Sequence, residues 1–174
     1  RNRRLFEELI DKVDIKPEAV HIPRIDELKD SSYVSDFCTK YDQIASNLDL
    51  LIMGVGEKGQ IGFNEHGASE LSRTRTVLLS YPSRKRQAKN FAGKVEMTPN
   101  SAIAMGISTM LSAKKIYLLA WGEDKAQVVK DIVEGEMSSS CPASLLQKHS
   151  NISFYVDDNS ASLLTRNVAP WLVG

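Results

Sequence analysis

Residues 48–65 read LDLLIMGVGEKGQIGFNE, an apolar run, interrupted by Asp49 and continuous from Leu50, that ends in four closely spaced glycines and a polar Phe63-Asn64-Glu65. Leu48, Leu50, Leu51, Ile52 and Met53 leave no polar face, the pattern of a strand covered on both sides in a parallel sheet. The loop after such a strand lies at its carboxyl end, where open α/β sheets bind their ligands. Gly54, Gly56, Gly59 and Gly62 let the backbone approach a ligand without Cβ collisions. The stretch therefore predicts a central parallel strand whose loop carries Glu65 into a cleft.

Working outward from it, helices and strands alternate. Val34, Phe37, Tyr41, Ile44 and Ala45 form the stripe of a helix leading into the strand. Leu5, Phe6, Leu9, Ile10 and Val13 share the face of an earlier helix, which Pro17 closes before a short extended Val20-His21-Ile22-Pro23. On the carboxyl side TRTVLLS at 74–80 reads as a strand and 83–91 as a basic helical segment. Thr98 followed by Pro99 predicts a helix start, with Ile103, Ile107, Met110 and Leu111 as that helix's buried face. KIYLLAW at 115–121 is a second fully apolar strand, 123–134 a helix ended by Gly135, and 152–156 a last strand. The alternation predicts an α/β fold: an open, mostly parallel, Rossmann-like sheet with helices on both faces. One domain is expected over 1–167, with Val168-Ala169-Pro170 opening an exit segment over 168–174.

Composition narrows the function. The 174 residues are 42% hydrophobic and 25% charged, as in a globular domain with an ordinary core. Lys plus Arg and Asp plus Glu are both 22, so no global field recruits nucleic acid or an anionic membrane. Any anion site must be built locally. Cys38 and Cys141 are isolated thiols without CxxC or His-paired spacing, which favours a reducing compartment and a cytoplasmic protein. The chain opens Arg1-Asn2-Arg3-Arg4 directly into a helical pattern, as a fragment would, so the missing secretory signal carries little weight.

Gly54, Gly56 and Gly59 satisfy G-x-G-x-x-G, but the dinucleotide form needs the third glycine to open a helix and an acidic residue at the end of the next strand. Here Gly59 runs into the glycine-rich Ile61–Gly67, and the next strand ends in Ser80-Tyr81. No Gly-Lys-Ser/Thr follows either, which removes a Walker A loop. No cofactor is expected.

MGVGEKGQIGFNE, with SRTR at 72–75, resembles the signature of the glucosamine-6-phosphate deaminase (isomerase) family, whose usual form reads G-x-G-x-D-G-H-I-A/G-F-N-E. The similarity continues through 98–135 and through PASLLQKH at 142–149. The tail LTRNVAPWLVG looks like that of a variant in which the deaminase-like domain is fused to a de-N-acetylase-like one. Members of the family begin well before the position matching Arg1. That earlier part normally carries the first strand, a Thr/Ser-Gly phosphate loop and the proton-moving Asp.

The resemblance implies roles residue by residue. Glu65 matches the Glu that orients and tunes a catalytic His. The His position itself is Gln60, and the Asp two residues earlier is Lys58. In the family these three groups open the pyranose ring, a proton transfer that needs a group titrating near neutrality. Gln cannot exchange a proton, yet it donates and accepts hydrogen bonds to sugar hydroxyls. Lys125 matches a phosphate-binding Lys, Lys89 falls near a phosphate-binding Arg, and Gly56 and Gly59 belong to the substrate loop. In allosteric members the Arg73–Arg75 region contacts a regulatory sugar phosphate, but Val77 stands where those enzymes have Lys. The implied partner is a sugar phosphate, and the resemblance leaves room for a homo-oligomer.

Three residues carry a reading of their own. Lys125 in the first turn of a helix opposes the macrodipole that Glu123 and Asp124 obey, a conflict that a bound phosphate removes. Lys58 is expected to face solvent, becoming an amine base only if the site buries it. Glu65 could equally pair with Arg73 or Arg75, which point to one side of a strand entry. His66 and His149 lack a partner at metal-ligand spacing and read as surface or structural, so no metal is expected. Two functions remain: a deaminase or isomerase of an amino-sugar 6-phosphate, and a module of the same fold that binds it without turnover.

Overall fold

The computed structural model describes residues 2–23 and 31–165, and the expected exit segment 168–174 lies outside them. Five helices, α1 (Asn2–Glu8), α2 (Ser31–Ala45), α3 (Tyr81–Gln87), α4 (Ile107–Leu111) and α5 (Ala126–Val133), alternate with strands β1 (Leu51–Gly54), β2 (Arg75–Leu78), β3 (Ser101–Ala104), β4 (Ile116–Ala120) and β5 (Ile152–Val156). The chain divides into two compact units, one of Arg1–Phe37 with Thr76–Ile103 and one of Cys38–Arg75 with Ala104–Gly174.

The second unit holds the expected parallel α/β sheet. β4 pairs in parallel with β1, Leu51 opposite Ile116 and Gly54 opposite Leu119. On its other side it pairs in parallel with β5, Ile116 opposite Ile152 and Ala120 opposite Val156. Alternate residues then share a face. Ile116, Leu118 and Ala120 join Met110 and Ala113 around α4, Val128, Val129 and Ile132 of α5, and Ala143 and Leu146 in one buried cluster, with Leu51, Met53, Ile152, Phe154 and Val156 packed against it.

The order β1-β4-β5 corrects one expectation. The central strand is β4, and β1 lies at the edge of this three-stranded sheet. Nor is β1 covered on both sides: Ile52, opposite Tyr117, is 58% exposed, and Leu50 just before the strand is also exposed. The continuous apolar run reports hydrophobicity on both faces of a strand, and hydrophobicity does not specify how many neighbours the strand has.

The first unit corrects another. β2 and β3 form a two-stranded sheet. Thr98 does not start a helix. It closes the 3-10 turn Val95–Met97, with its Oγ1 donating to Lys94 O, and Ser101–Ala104 continues as a strand of alternating burial. The helix starts later, at Ile107, with Gly106 as its N-cap. The basic segment behaves as expected: Ser80 caps α3 by accepting the Ser83 N–H, and Arg84 donates to Thr98 O and Val95 O.

A buried carboxylate ties the second unit together. Asp42 on α2 accepts from Thr74 N at 3.1 and 3.2 Å and from Thr109 Oγ1 on α4 at 2.7 Å, with Arg73 Nη1 at 4.0 Å. Burial alone raises a carboxyl pKa, but these hydrogen bonds outweigh it and hold Asp42 below the usual range. The buried face of α2 is accordingly Cys38, Asp42 and Ala45, while Ile44 of the expected stripe is exposed.

Candidate functional site

The glycine loop leaves β1 and folds over itself. Gly56 N donates to Gln60 O and Gly59 N to Gly56 O, each at 2.9 Å. A Cβ at Gly56 would lie 2.3 Å from Gln60 Cδ, so the Gln60 side chain rests directly on the Gly56 backbone. Its Oε1 accepts the Lys58 N–H at 2.9 Å. That bond fixes the amide and turns Nε2 into its outward donor. Lys58 contributes its backbone here, and its side chain is exposed as expected.

Gly59, at φ +73°, is pinned by its carbonyl, which accepts from Ala143 N at 2.8 Å. A Cβ there would meet Cys141 Sγ at 2.3 Å. Burial pushes the Cys141 thiol up, so it packs against Gly59 as a neutral thiol.

A tight turn then reverses the chain. Ile61 and Asn64 form an antiparallel bridge, Ile61 N to Asn64 O at 3.1 Å and Asn64 N to Ile61 O at 2.7 Å. The two residues between them, Gly62 and Phe63, are both left-handed, at φ +50° and +66°, which is what a two-residue turn of this hand requires. Asn64 is fully buried. Its Nδ2 donates to Ile61 O and Met105 O and its Oδ1 accepts from Arg75 Nη1 at 3.1 Å. The turn sets Gln60 and Glu65 at the next positions outward on its two sides. Glu65 Oε1 is buried with no hydrogen-bond partner among the described residues, so Arg75 serves Asn64 and not Glu65.

Lys125 closes the 3-10 turn Glu123–Lys125 and forms the N-cap of α5. Gly122 N donates to both Asp157 carboxylate oxygens at 3.1 and 3.2 Å, and hydrogen bonds from Ser160 and Gly122 hold Asp157 below the usual carboxylate range. From this anchored turn Lys125 Nζ reaches Asp124 Oδ2 at 2.6 Å and comes within 4.0 Å of Glu57 Oε1. Lys125 thus abuts the glycine loop. The anion that relieves its conflict with the helix dipole is, in this structure, the protein's own Asp124.

The structure brings Gly56, Lys58, Gly59 and Gln60 into one loop, with Glu65 across the turn and Lys125 against Glu57. Lys89 belongs to the first unit, where it is exposed on the short 3-10 turn Ala88–Asn90. His149 is structural, its ring nitrogens bonded to Ala113 O and Asn151 N, and His66 is exposed. Among the described residues no three His, Cys, Asp or Glu side chains gather as a metal site would. Sequence reasoning missed Asn64, Glu57 and Asp124. Their signals were an amide lodged in an otherwise apolar and glycine-rich turn, and carboxylates flanking the two lysines it singled out.

Comparison with known proteins follows from this geometry. The family model for glucosamine-6-phosphate isomerases/6-phosphogluconolactonase matches residues 1–154. A glucosamine-6-phosphate deaminase-like protein of Bacteroides thetaiotaomicron is 43% identical over 97% of this chain and 26% of its own. A glucosamine-6-phosphate deaminase of Pseudoalteromonas translucida is 38% identical over 90% of this chain and 58% of its own. A solved monomeric glucosamine-6-phosphate deaminase superposes with a TM-score of 0.83 at 35% identity, covering 91% of this chain and 65% of that one. The 6-phosphogluconolactonase of Thermotoga maritima shares the fold, with a TM-score of 0.59 at 17% identity over 88% of this chain and 63% of its own. The chain thus spans between a quarter and two thirds of the relatives it matches. No helix among the described residues is long and apolar enough to cross a membrane.

Proposed function

We propose a function from one premise: this chain belongs to the glucosamine-6-phosphate isomerase/6-phosphogluconolactonase family. It is a glucosamine-6-phosphate deaminase-like protein that takes an amino-sugar 6-phosphate at the loop of residues 54–65, working in the cytoplasm with its two free thiols reduced. Gln60 Nε2 and Glu65 meet the sugar hydroxyls and Lys125 meets the phosphate. What supports this reading is that Glu65 Oε1 is buried without a hydrogen-bond partner among the described residues, on a loop where Gln60 Oε1 accepts the Lys58 N–H and Glu57 lies 4.0 Å from the Lys125 ammonium.

The same residues limit the chemistry. Ring opening moves a proton from the anomeric hydroxyl to the ring oxygen, and Glu57, Lys58 and Glu65 are the side chains of this loop able to exchange one. Gln60, whose Oε1 accepts the Lys58 N–H, can hydrogen-bond a sugar but has no proton to exchange. This favours a second reading, recognition of the sugar phosphate with little or no turnover. Calorimetry with glucosamine 6-phosphate, run beside an assay of ammonia release by the intact protein, separates the two. Binding with ammonia release supports the deaminase, binding without it the recognition module, and absence of binding defeats both.

A further inference from the structure

The carboxylate of Asp124 is built into the place a phosphate would take. Gly122, at φ +94°, lacks the Cβ that would stand 2.8 Å from Asp124 Oδ1, so the carboxylate folds back over that glycine. Its other oxygen accepts from Lys125 Nζ at 2.6 Å. On the far side, Glu57 Oε1 lies 4.0 Å from the same ammonium. The Lys125 side chain is only 17% exposed, whereas both carboxylates are mostly in solvent. One mostly buried cation therefore faces two exposed carboxylates, and the turn that carries Asp124 and Lys125 is anchored at Gly122 by Asp157.

We infer that Asp124, seconded by Glu57, is the residue that sets this site's selectivity for phosphate, acting as an intramolecular competitor for Lys125. This rests on the reading of Lys125 as the phosphate ligand. A phosphoryl group entering the site has to displace the Asp124 carboxylate from Lys125 and then sit beside two negative charges, a repulsion that neither carboxylate exerts on an unphosphorylated sugar. The two carboxylates consequently hold the preference for glucosamine 6-phosphate over glucosamine below what Lys125 alone would give. That preference is greatest at high ionic strength, where the repulsion from the exposed carboxylates is screened more than the contact with the mostly buried ammonium.

Calorimetry of the protein with both sugars reads the effect directly. Asp124→Asn, a change at a solvent-facing side chain that the fold tolerates, raises the affinity for glucosamine 6-phosphate by about tenfold and Glu57→Gln by about threefold, from removal of one nearby charge each. Neither variant shifts the affinity for glucosamine, and both gains shrink as salt is raised. If Asp124→Asn and the parent protein bind glucosamine 6-phosphate equally while Lys125→Glu still weakens it, the competitor is overturned and the phosphate reading stands. If no protein, Asp124→Asn included, prefers the phosphorylated sugar, both are overturned together.

Discussion

Thr109 Oγ1 donates to Asp42 Oδ1 across 2.7 Å, a contact between residues 67 apart in the chain. Through it a helix that precedes the glycine loop is fastened to the helix whose Met110 lies beneath Gly62. Asp42→Ala leaves the Thr74 N–H and the Thr109 hydroxyl buried without their acceptor, and is expected to cost about 2–4 kcal/mol. Urea unfolding at pH 7 measures it, and a loss under about 1 kcal/mol would show that water replaces the carboxylate.

The same residue sets an acid limit. Its folded pKa is depressed, so the stability it contributes is present above its unfolded value near 4 and disappears as pH falls through the lower folded value. Midpoints of unfolding taken between pH 6 and 2 should fall more steeply for the parent protein than for Asp42→Asn. Parallel curves for the two would remove Asp42 from the acid transition.

Gly56 and Gly59 should separate binding from stability. At Gly56 the three atoms nearest an added methyl all belong to the Gln60 side chain, so Gly56→Ala is expected to break the Gln60–Lys58 hydrogen bond at a cost of about 1 kcal/mol while displacing the Gln60 amide and weakening sugar binding at least several-fold. At Gly59 the methyl meets Cys141 and its backbone, and φ is +73°, so Gly59→Ala should destabilise by about 2 kcal/mol or more. Thermal melts paired with calorimetry distinguish the two. Equal loss of stability in both variants would mean that Gln60 is not free to move.

Reversing the charge at Lys125 removes the ammonium that lies 4.0 Å from Glu57 of the loop. Lys125→Glu should weaken glucosamine 6-phosphate binding by roughly tenfold or more, since hydrogen bonds to charged groups contribute about 1.5–3 kcal/mol. Unchanged affinity would take Lys125 out of the site.

Turnover should respond to residue type at two positions of the loop. Lys58→Asp combined with Gln60→His restores the residue types that the family has at these two positions, and acid–base groups of this kind typically contribute about 10²–10⁴-fold. Ammonia release is expected to rise more than affinity changes. Vigorous ammonia release by the unmodified protein would instead show that another group, Lys58 foremost, already performs the transfer.

Much of the fold was legible because it rests on local periodicity. β4, β5, α3 and α5 fall within a few residues of where their patterns put them. What escaped depends on partners distant in sequence. The run 48–53 could not reveal that β4 would take the central place, because apolar side chains do not encode pairing on a strand's edges. Thr98-Pro99 suits a helix start and a turn exit alike, and the pairing of Ser101–Ala104 with β2 decided for the turn. Asp42 was overlooked because its stripe was scored by apolar residues, and a buried carboxylate reads as surface until its donors at 74 and 109 are known. For the site, the loop and its glycines could be read directly, whereas the engagement of Lys125 by Asp124 is a matter of side-chain geometry.

The unpaired side of β1 has a consequence for handling the protein. Among the described residues no strand bonds to that side, and Ile52 and Leu50 stand exposed beside its free amides and carbonyls. Such an edge is a template on which other extended chains can add. Solutions of a polypeptide of residues 1–174 alone should therefore become turbid in a concentration-dependent way before their sheet content melts. A single lysine at position 52, whose side chain faces away from the buried cluster, should raise the attainable concentration without touching the loop that follows.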